Sequence, residues 1–528
     1  MSQLKDCSTL RRWTLALPAV ILAAQVVSAA GSEHPGTVRI EPELEAALRL
    51  HGEATVLIDF GERPDLRAAS TMDWEERGHF VVSELRATAD RTQARVRAHL
   101  RAEGVAFRSF WIDNLILVPS ATRLVLDDLA TFEEIAVLRS DRRAMLVEPV
   151  QKAFAPTRGR SIEPNISHVN ADVVWGMGFD GMGMVVAGID TGARYTHEVL
   201  EPRYRGNLGG GVFDHDFNWL SGDGGSATPV DGHGHGSHTV GTMVGDDGGA
   251  NQVGMAPGAT WIACEGCPDG GCPSIALLTC AQWVAAPYPV GDPSSPDPSK
   301  RPHVVNNSWG DCAQSYDGWY QGVVDSWHAA GIYPVFANVN ASNCGYGFPP
   351  GCNTVGNPGR YGNVTGVGST GQSNGAYAAH SNWGPTDDPD TVNPVGFPGL
   401  KPQVVAPGVN IRSALSGSDS SYGSWDGTSM SAPHVAGLVA LMWQTAPCLV
   451  GNYAETETII QASAMAIPYA TNCGGEGPGN VPNNATGWGE IDALEAVTQA
   501  AAFCGTSWVV FMDGFEDGTT GEWSSTTR

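Results

Sequence analysis

A serine lies at the start of an apolar, small-residue segment in the last quarter of the chain. The stretch from Tyr422 to Gly437 reads YGSWDGTSMSAPHVAG and leads into the apolar run LVALMWQ, which predicts a helix that begins near Thr428. Backbone N–H groups at a helix start lack partners within the helix and favour negative charge. Ser429 is therefore placed to attack a group that becomes an anion, although a capping serine would explain it too. We expect the missing N–H of Pro433 to fall among these unpaired groups.

A nucleophilic serine needs a base, and the base needs a carboxylate that orients it. The stretch DGHGHGSHTVGTMVG offers His235 before a small-residue helix, and VVAGIDTG offers Asp190 at the end of a buried strand. Open α/β sheets place their sites at the carboxyl ends of strands. Asp190 could instead be a turn or capping residue, and His233, His235 and His238 could bind a metal. The HExxH pattern of zinc proteases is absent from the sequence, so no metal site is predicted.

Three stretches, VVAGIDTG, HGHGSHTVGT and DGTSMSAPHVAG, resemble the Asp, His and Ser motifs of the subtilisin-like serine proteases, in the order that this family has. GMAPGA, VVNNSWG, HSNWGP and KPQVVAPGVNI resemble further segments of the family, and HGSHTVGTMVG is most similar to its bacillopeptidase-F-like branch. The resemblance covers about residues 165–500. It implies that Ser429 is the nucleophile, that His235 is the general base and then the acid, and that Asp190 orients the imidazole.

The resemblance also implies an asparagine that helps a backbone N–H to hold the oxyanion. The matching stretch, PVFANVNASN, contains two candidates, and its similarity to the family favours Asn340 over Asn338. The family usually has Gly immediately before this asparagine, whereas this chain has Val339. The choice between the two asparagines therefore stays open on sequence alone.

By the same resemblance, the substrate is an extended peptide that pairs with exposed strand edges, as in β-augmentation. Ser308, Trp309 and Gly310 match one edge, and the segment from Gly254 to Pro257 matches the other. The large Trp309 side chain is a candidate for shaping the pocket, so no side-chain preference follows from the sequence.

Around these motifs the chain divides into two regions. Residues 31–155 contain strand and helix patterns in the order β-α-β-β-α-β, with a helix in DLATFEEIAVLRS and a last strand in AMLVEPV. This order predicts a ferredoxin-like α+β domain. Residues 160–505 alternate helical stretches with the apolar runs MVVAGID, TWIACE, HVVNNS, IYPVFAN and QVVAPG. These runs predict a doubly wound, mostly parallel α/β sheet, in agreement with a subtilisin-like fold.

Residues 1–30 have the layout of a secretory signal peptide, with a positive start, a short apolar run and small residues behind it. The run is too short for a spanning helix, so no membrane anchor is predicted. By the family resemblance, residues 31–155 are expected to be a propeptide that assists folding and inhibits the enzyme until it is cleaved between Pro149 and Arg160; the alternative is a permanent accessory domain. AMLVEPV would then lead into the active site, and residues 506–528 would form an acidic tail.

Ten of the 11 cysteines follow the signal peptide that contains Cys7, and an even number in an exported chain favours disulfides. Cys267 with Cys272, or Cys344 with Cys352, could close small loops. Zinc in CEGCPDGGC is the less favoured alternative, because no second pair has finger-like spacing.

The formal net charge of −26 argues against a nucleic-acid partner, whose affinity depends on basic groups. The chemistry requires no cofactor. Calcium is common in the family, and the loop HDFNWLSGDGGSATPVD and the acidic tail offer oxygens for a structural ion, but EF-hand spacing is absent from the sequence, which favours ordinary acidic surface loops.

The sequence therefore predicts a secreted serine endopeptidase that is made as a zymogen and acts on proteins or peptides, with its own propeptide as an intramolecular inhibitor. The alternative is a catalytically silent, peptide-binding relative of the same fold. An α/β-hydrolase esterase has less support, because GTSMS is not a GxSxG motif and the order of the three residues differs.

Overall fold

The computed structural model describes residues 38–157, 162–389, 391, 399–473 and 480–505. The predicted signal peptide and the predicted acidic tail lie outside these residues, so both stay predictions. Within the described part of the chain, none of the helices is long and apolar enough to cross a membrane.

The N-terminal region forms a five-stranded sheet with four helices. Its elements are β1 (Arg39–Ile40), α1 (Pro42–His51), β2 (Glu53–Asp59), α2 (Trp74–Thr92), α3 (Ala94–Ala102), β3 (Arg108–Phe110), β4 (Leu115–Thr122), α4 (Arg123–Leu129) and β5 (Val137–Ser140). The strand order is β1-β5-β2-β4-β3, and β2 is antiparallel to both β4 and β5. The last four of these strands have the predicted ferredoxin-like arrangement, which β1 and α1 extend.

Two local predictions in this region are wrong. The helix expected in DLATFEEIAVLRS lies earlier, at α4, because the Thr122 side chain accepts a hydrogen bond from Val125 N and caps the helix there. The end of that stretch forms β5, whose Leu138 is fully buried. AMLVEPV is not the last strand of this sheet, because it pairs with strands of the second region.

The second region is built on a seven-stranded sheet in which all neighbouring strands are parallel. The elements that follow β5 along the chain are β6 (Ala144–Leu146), β7 (Gln151–Ala155), α5 (Pro164–His168), α6 (Ala171–Gly176), β8 (Val185–Asp190), β9 (Asn207–Gly209), β10 (Val212–Phe213), β11 (Trp219–Ser221), α7 (His235–Val244), β12 (Thr260–Glu265), β13 (Gly271–Cys272), α8 (Ser274–Ala285), β14 (Val304–Asn307), β15 (Trp309–Gly310), α9 (Gln321–Ala329), β16 (Tyr333–Ala337), β17 (Thr365–Gly371), β18 (Val404–Val409), β19 (Ile411–Ala414), β20 (Tyr422–Asp426), α10 (Thr428–Thr445), α11 (Tyr453–Ser463) and α12 (Ala493–Phe503).

The large sheet has helices on both faces. Its strand order is β11-β12-β8-β14-β16-β17-β18, and the five predicted apolar runs form β8, β12, β14, β16 and β18. In β8, Val186 packs in the core that contains α7, α10 and α12, whereas Ala187 and Ile189 pack in the core that contains α8 and α9. The predicted doubly wound parallel sheet is therefore confirmed, and β8, an interior strand of it, ends at Asp190.

The segment 144–155 leaves the N-terminal sheet and pairs with the second region. β6 is the middle strand of a small sheet, antiparallel to β13 on one side and to β15 on the other. β7 is antiparallel to β20, the strand immediately before α10. The segment 144–155 therefore pairs with strands of the second region, one of which, β20, comes directly before the helix that contains Ser429.

The ten cysteines after Cys7 form five disulfides, which are Cys264–Cys280, Cys267–Cys272, Cys312–Cys344, Cys352–Cys473 and Cys448–Cys504. The pairing of Cys267 with Cys272 is confirmed, and the pairing of Cys344 with Cys352 is wrong. Cys312 follows β15 and Cys344 follows β16, so connections at the same end of the sheet bring together residues that are distant in sequence. All three cysteines of CEGCPDGGC are in disulfides, which excludes the zinc alternative there.

Candidate active site

Asp190 and His235 meet at the carboxyl end of β8. Asp190 is the last residue of β8, and His235 is the first residue of α7. Asp190 Oδ1 lies 2.7 Å from His235 Nδ1, and both side chains are buried. Because an ionised carboxylate can only accept, Nδ1 donates and a neutral imidazole presents Nε2 as an acceptor. Among the described residues, His235 Nε2 has no hydrogen-bond partner, so it is available to take a proton.

Further contacts fix this pair. The Asp190 carboxylate also accepts from Thr191 N at 2.8 Å and from Thr239 Oγ1 at 3.3 Å. The start of α7 approaches the β8 turn so closely that a Cβ on Gly236 would lie 2.0 Å from the Gly192 oxygen. A glycine at position 236 is therefore required for His235 to reach Asp190.

Asp231 holds the loop before α7, and the sequence analysis did not identify it. Its Oδ1 accepts from Thr191 Oγ1, His233 N and Gly234 N at 2.9, 3.0 and 2.6 Å. Its Oδ2 accepts from the N and Oγ of Ser237 at 2.8 and 2.6 Å. An Asp that precedes a Gly-rich turn was the available signal for such a role.

The three histidines of this motif face different partners. His235 contacts the carboxylate described above, His238 Nε2 lies 3.0 Å from Ile411 O, and His233 Nε2 lies 3.0 Å from Glu148 Oε1. In the described part of the chain, no cluster of three or more His, Cys, Asp or Glu side chains could hold a metal ion. Burial lowers the pKa of His238 to about 3, so this residue stays neutral next to His235.

Ser429 is the second residue of α10 and is fully buried. Its Oγ donates to the carbonyl oxygen of Val147 at 2.6 Å. The predicted nucleophile therefore lies at the amino end of a helix, where we expected it. In this structure its hydroxyl is bonded to the segment 144–155.

The prediction for Pro433 is wrong. The helix begins at Thr428, so Pro433 lies in its second turn, where an N–H would bond to the carbonyl of Ser429. The missing bond is partly replaced, because that carbonyl accepts a long hydrogen bond from Ser308 Oγ at 3.4 Å. Proline therefore frees a carbonyl of the predicted nucleophile for a contact with the neighbouring strand.

Asn340, and not Asn338, faces the same site. Asn340 Oδ1 accepts from Thr428 N at 2.9 Å, and its Nδ2 donates to the carbonyl oxygen of Glu148 at 2.9 Å. Asn338 Nδ2 donates instead to Asn382 O. The structure thus brings together Asn340, the amino end of α10 and a peptide carbonyl.

Val339 explains how Asn340 is oriented. Its φ of 67° lies in the left-handed region, where a β-branched residue is rare. Its side chain is buried and needs two glycines beside it, since a Cβ on Gly310 or Gly356 would lie 2.9 or 3.1 Å from Val339 Cγ2. Such a conformation costs about 1–3 kcal/mol and persists only where packing enforces it.

The predicted edge at residues 308–310 contacts the segment 144–155 through its backbone. Val147 N donates to Ser308 O at 3.0 Å, and Trp309 pairs with Leu146 in the small sheet. The Trp309 ring lies in the core, with ring centroids 5.1 and 5.4 Å from Tyr320 and Phe336. Its contact with the segment 144–155 is therefore made by the main chain.

The second predicted edge is wrong. Gly254 and Met255 donate their amides to the carbonyls of Gly245 and Thr242, so that segment packs against α7. On the side of β6 away from β15, the pairing strand is β13. It follows a short turn in the loop that the Cys267–Cys272 disulfide closes. Two residues are too few to give a strand pattern in the sequence.

The acidic loop considered for calcium has its carboxylates engaged in turns. Asp214 accepts from Asp216 N, and Asp216 accepts from Val290 N. Asp223 accepts from Ser221 Oγ. A structural calcium ion stays a prediction, and a fall in melting temperature on addition of a chelator would support it.

The comparisons with known proteins agree with this geometry. The model of the subtilase family matches residues 181–489. The chain belongs to the subtilase family. This subtilase is 35% identical to Bacillopeptidase F of Bacillus subtilis (strain 168) over 449 residues, which are 82% of this chain and 29% of that protein. It is 29% identical to M-protease of Shouchella clausii (strain KSM-K16) over 346 residues, which are 63% of this chain and 76% of that protein.

A solved structure supports the fold. Fervidolysin from Fervidobacterium pennivorans, described as a keratinolytic enzyme related to subtilisin, matches with a TM-score of 0.57 at 16% identity, over 88% of this subtilase and 63% of that chain. The predicted family and fold are therefore confirmed, and the relatives that are named proteases support a serine-type endopeptidase. The chain spans less than a third of Bacillopeptidase F, so activity and substrates are treated below as proposals.

Proposed function

We propose that this subtilase is a secreted serine endopeptidase with Ser429, His235 and Asp190 as its catalytic residues. The observation that carries the proposal is the segment 144–148, whose last two carbonyl oxygens accept hydrogen bonds from Ser429 Oγ and from Asn340 Nδ2. The chain's own peptide is thus held against the proposed nucleophile and an amide donor. Disulfides in the second region support export, because they persist in oxidising compartments.

In the proposed reaction, Ser429 Oγ attacks a peptide carbonyl carbon while His235 Nε2 takes the hydroxyl proton. Asn340 Nδ2 and the amino end of α10 hold the negative oxygen. The C–N bond breaks as His235 returns the proton to the leaving amine, and a water repeats the two proton transfers to release the acid from Ser429. A positioned base of this kind contributes about 10²–10⁴-fold.

We propose that the N-terminal region inhibits this site until it is cleaved. Its chain continues into β6, so the site is filled by the protein's own backbone. The two regions share a packed contact, in which Trp74 stacks on His303 at 4.5 Å and Arg301 lies 3.8 Å above the Trp74 ring. The predicted cleavage between Pro149 and Arg160 stays a prediction, whereas the carbonyls of Val147 and Glu148 on Ser429 and Asn340 favour a bond on one side of Glu148, just before that range.

Three measurements test the proposed function. Purified protein should hydrolyse casein, a serine-directed sulfonyl fluoride should stop the hydrolysis, and mass spectrometry should find the label on Ser429. Amino-terminal sequencing of the active form should locate the processed bond. A protein that binds peptides but neither cleaves casein nor takes the label would be the silent relative.

Replacement of the oxyanion donor should lower turnover with little change in KM. We expect Asn340→Ala to reduce kcat by about 10²–10³-fold, because negative charge on the oxygen exists only in the transition state. The matched variant Asn343→Ala removes a longer contact to the same carbonyl, 3.3 Å instead of 2.9 Å, and should lose less than about tenfold. Equal losses in both variants, at unchanged melting temperatures, would contradict the assignment.

Loss of Arg77 should weaken the inhibition by the N-terminal region. Arg77 donates to the carbonyls of Ala329, His328 and Gly451 at 2.6, 2.6 and 3.0 Å. Its removal leaves these carbonyls without that partner, so we expect Arg77→Ala to shorten the lag before casein hydrolysis about tenfold. Arg67→Ala is the control, because Arg67 is 90% exposed and pairs with Asp65 of its own region. A lag that is unchanged by Arg77→Ala would refute the interface.

A further inference from the structure

Two cations hold the side chain of Glu148. Its Oε1 lies 3.0 Å from His233 Nε2, and its Oε2 lies 2.8 Å from Lys152 Nζ. Lys152 belongs to the same segment as Glu148, whereas His233 lies in the loop that leads into α7. His233 is therefore the group through which the second region contacts this carboxylate.

The position of this carboxylate is fixed from both sides. The His233 backbone is held by Asp231, and Gly270 packs beside the pair, since a Cβ there would be in ordinary contact with Glu148 Oε1 at 3.6 Å and with the His233 ring at 3.8 Å. The backbone of Glu148 is held separately, because its carbonyl oxygen accepts from Asn340 Nδ2. Glu148 thus makes two contacts. Its carbonyl oxygen accepts from Asn340, the proposed oxyanion donor, and its side chain contacts His233.

We propose that His233 is a specificity-determining residue that selects an acidic side chain next to the bond that is cut. Glu148 of the chain itself occupies this subsite and represents the substrate. The inference rests on the proposed peptidase function and adds the side chain that the site prefers. A net charge of −26 repels acidic peptides at long range, so the preference must come from this local contact.

The preference depends on the charge of His233. The hydrogen bond between the two side chains raises the pKa of His233 above 6.5 and lowers the pKa of Glu148 from 4.5 to about 2. Both groups are therefore charged between pH 4.5 and 6.5, and the attraction is lost as the pH rises through the raised pKa of His233. The other titratable groups around His233 are Lys152, Asp231, Asp269 and His235.

The test uses quenched peptides with the sequence Ala-Met-Leu-Val-X-Ala-Val-Gln, which follows residues 144–151 with alanine in place of Pro149. X is Glu, Gln or Lys. We expect kcat/KM for the Glu peptide to exceed that for the Gln peptide about two- to fivefold at pH 6, since the side chains of this pair are 20% and 40% exposed. The Lys peptide should be the poorest. The ratio of kcat/KM for the Glu and Gln peptides should approach one at pH 9. Because both peptides are cleaved by the same catalytic groups, the pH dependence of the reaction itself cancels in this ratio.

The variant His233→Gln should bring the ratio close to one at both pH values. His215→Gln is the control, because His215 bonds to Tyr204 at 2.9 Å and has no contact with the segment 144–155 among the described contacts; it should keep the wild-type ratio. Cleavage away from X, a ratio that does not change with pH, or a ratio that survives in His233→Gln would overturn the subsite. Equal hydrolysis of the Glu and Gln peptides would overturn the subsite alone, whereas failure to cleave casein or any peptide would overturn the proposed function with it.

Discussion

The variant Ser429→Ala is expected to lose peptidase activity by about 10⁴-fold or more in kcat/KM, and to remain in one piece. Alanine removes the Oγ that would form the bond to the acyl group, while Asp190, His235 and Asn340 keep their contacts. Alanine also suits a helix, and within the described part of the chain this Oγ loses one hydrogen bond, to Val147. Kinetics on a quenched peptide and the intact mass of the purified chain measure the two effects.

The matched control for this variant is Ser431→Ala. Ser431 lies in the same turn of α10 and is fully buried, but its Oγ has no hydrogen-bond partner in the described part of the chain. Its removal should change kcat/KM less than about threefold, since no bond is lost. Casein cleavage that persists in Ser429→Ala and fails in Ser431→Ala would show that the wrong serine was chosen.

The sequence predicts the large sheet well because of where its strands lie. β8, β12, β14, β16 and β18 are covered on both faces, so each is a short, continuous apolar run. The strand β17 was missed because its sequence, TGVGSTG, is rich in glycine and lacks such a run. The strand β11 has only three residues. β11 and β17 are recognisable as strands only from the strands with which they pair in the sheet, and a local sequence pattern does not contain that information.

Predictions from the motifs were better than predictions from local patterns at the site. Asp190 and His235 were identified from two distant motifs, and the structure places them 2.7 Å apart. Asn340 could be separated from Asn338 only in three dimensions, because the turn at Val339 sends their side chains to different partners.

Contacts made by the segment 144–155 were the least predictable from sequence. AMLVEPV has the composition of an ordinary strand, and local propensity cannot tell which sheet a strand joins. Its pairing with β13 and β15 involves strands more than 100 residues further along the chain, and the contact of Glu148 with His233 also joins residues that are far apart in sequence. The proposed inhibition and the proposed subsite both follow from this one long-range arrangement.

Asp190→Asn is expected to lower kcat/KM by about 10²–10⁴-fold with a small effect on KM. In the wild type, Thr191 N donates to Oδ1 and Thr239 Oγ1 donates to Oδ2. A hydroxyl can also accept, whereas a backbone N–H cannot. The new amide group should therefore point its NH₂ at Thr239 and keep its oxygen on His235. The imidazole then keeps its orientation, and the variant loses the negative charge that stabilises the protonated ring.

The variant Thr239→Val tests how much a hydrogen bond to Asp190 contributes when the charge of Asp190 is kept. It removes a 3.3 Å contact to Asp190 and leaves the carboxylate charge in place, so we expect a loss of less than about tenfold. In the double variant with Asp190→Asn, the NH₂ loses its hydroxyl partner, but the oxygen still accepts from Thr191 N and His235 Nδ1, so it should keep its place and the two losses should be close to additive. A loss in kcat/KM far deeper than the sum of the single effects would contradict this orientation, and a loss below tenfold for Asp190→Asn alone would remove Asp190 from the catalytic residues.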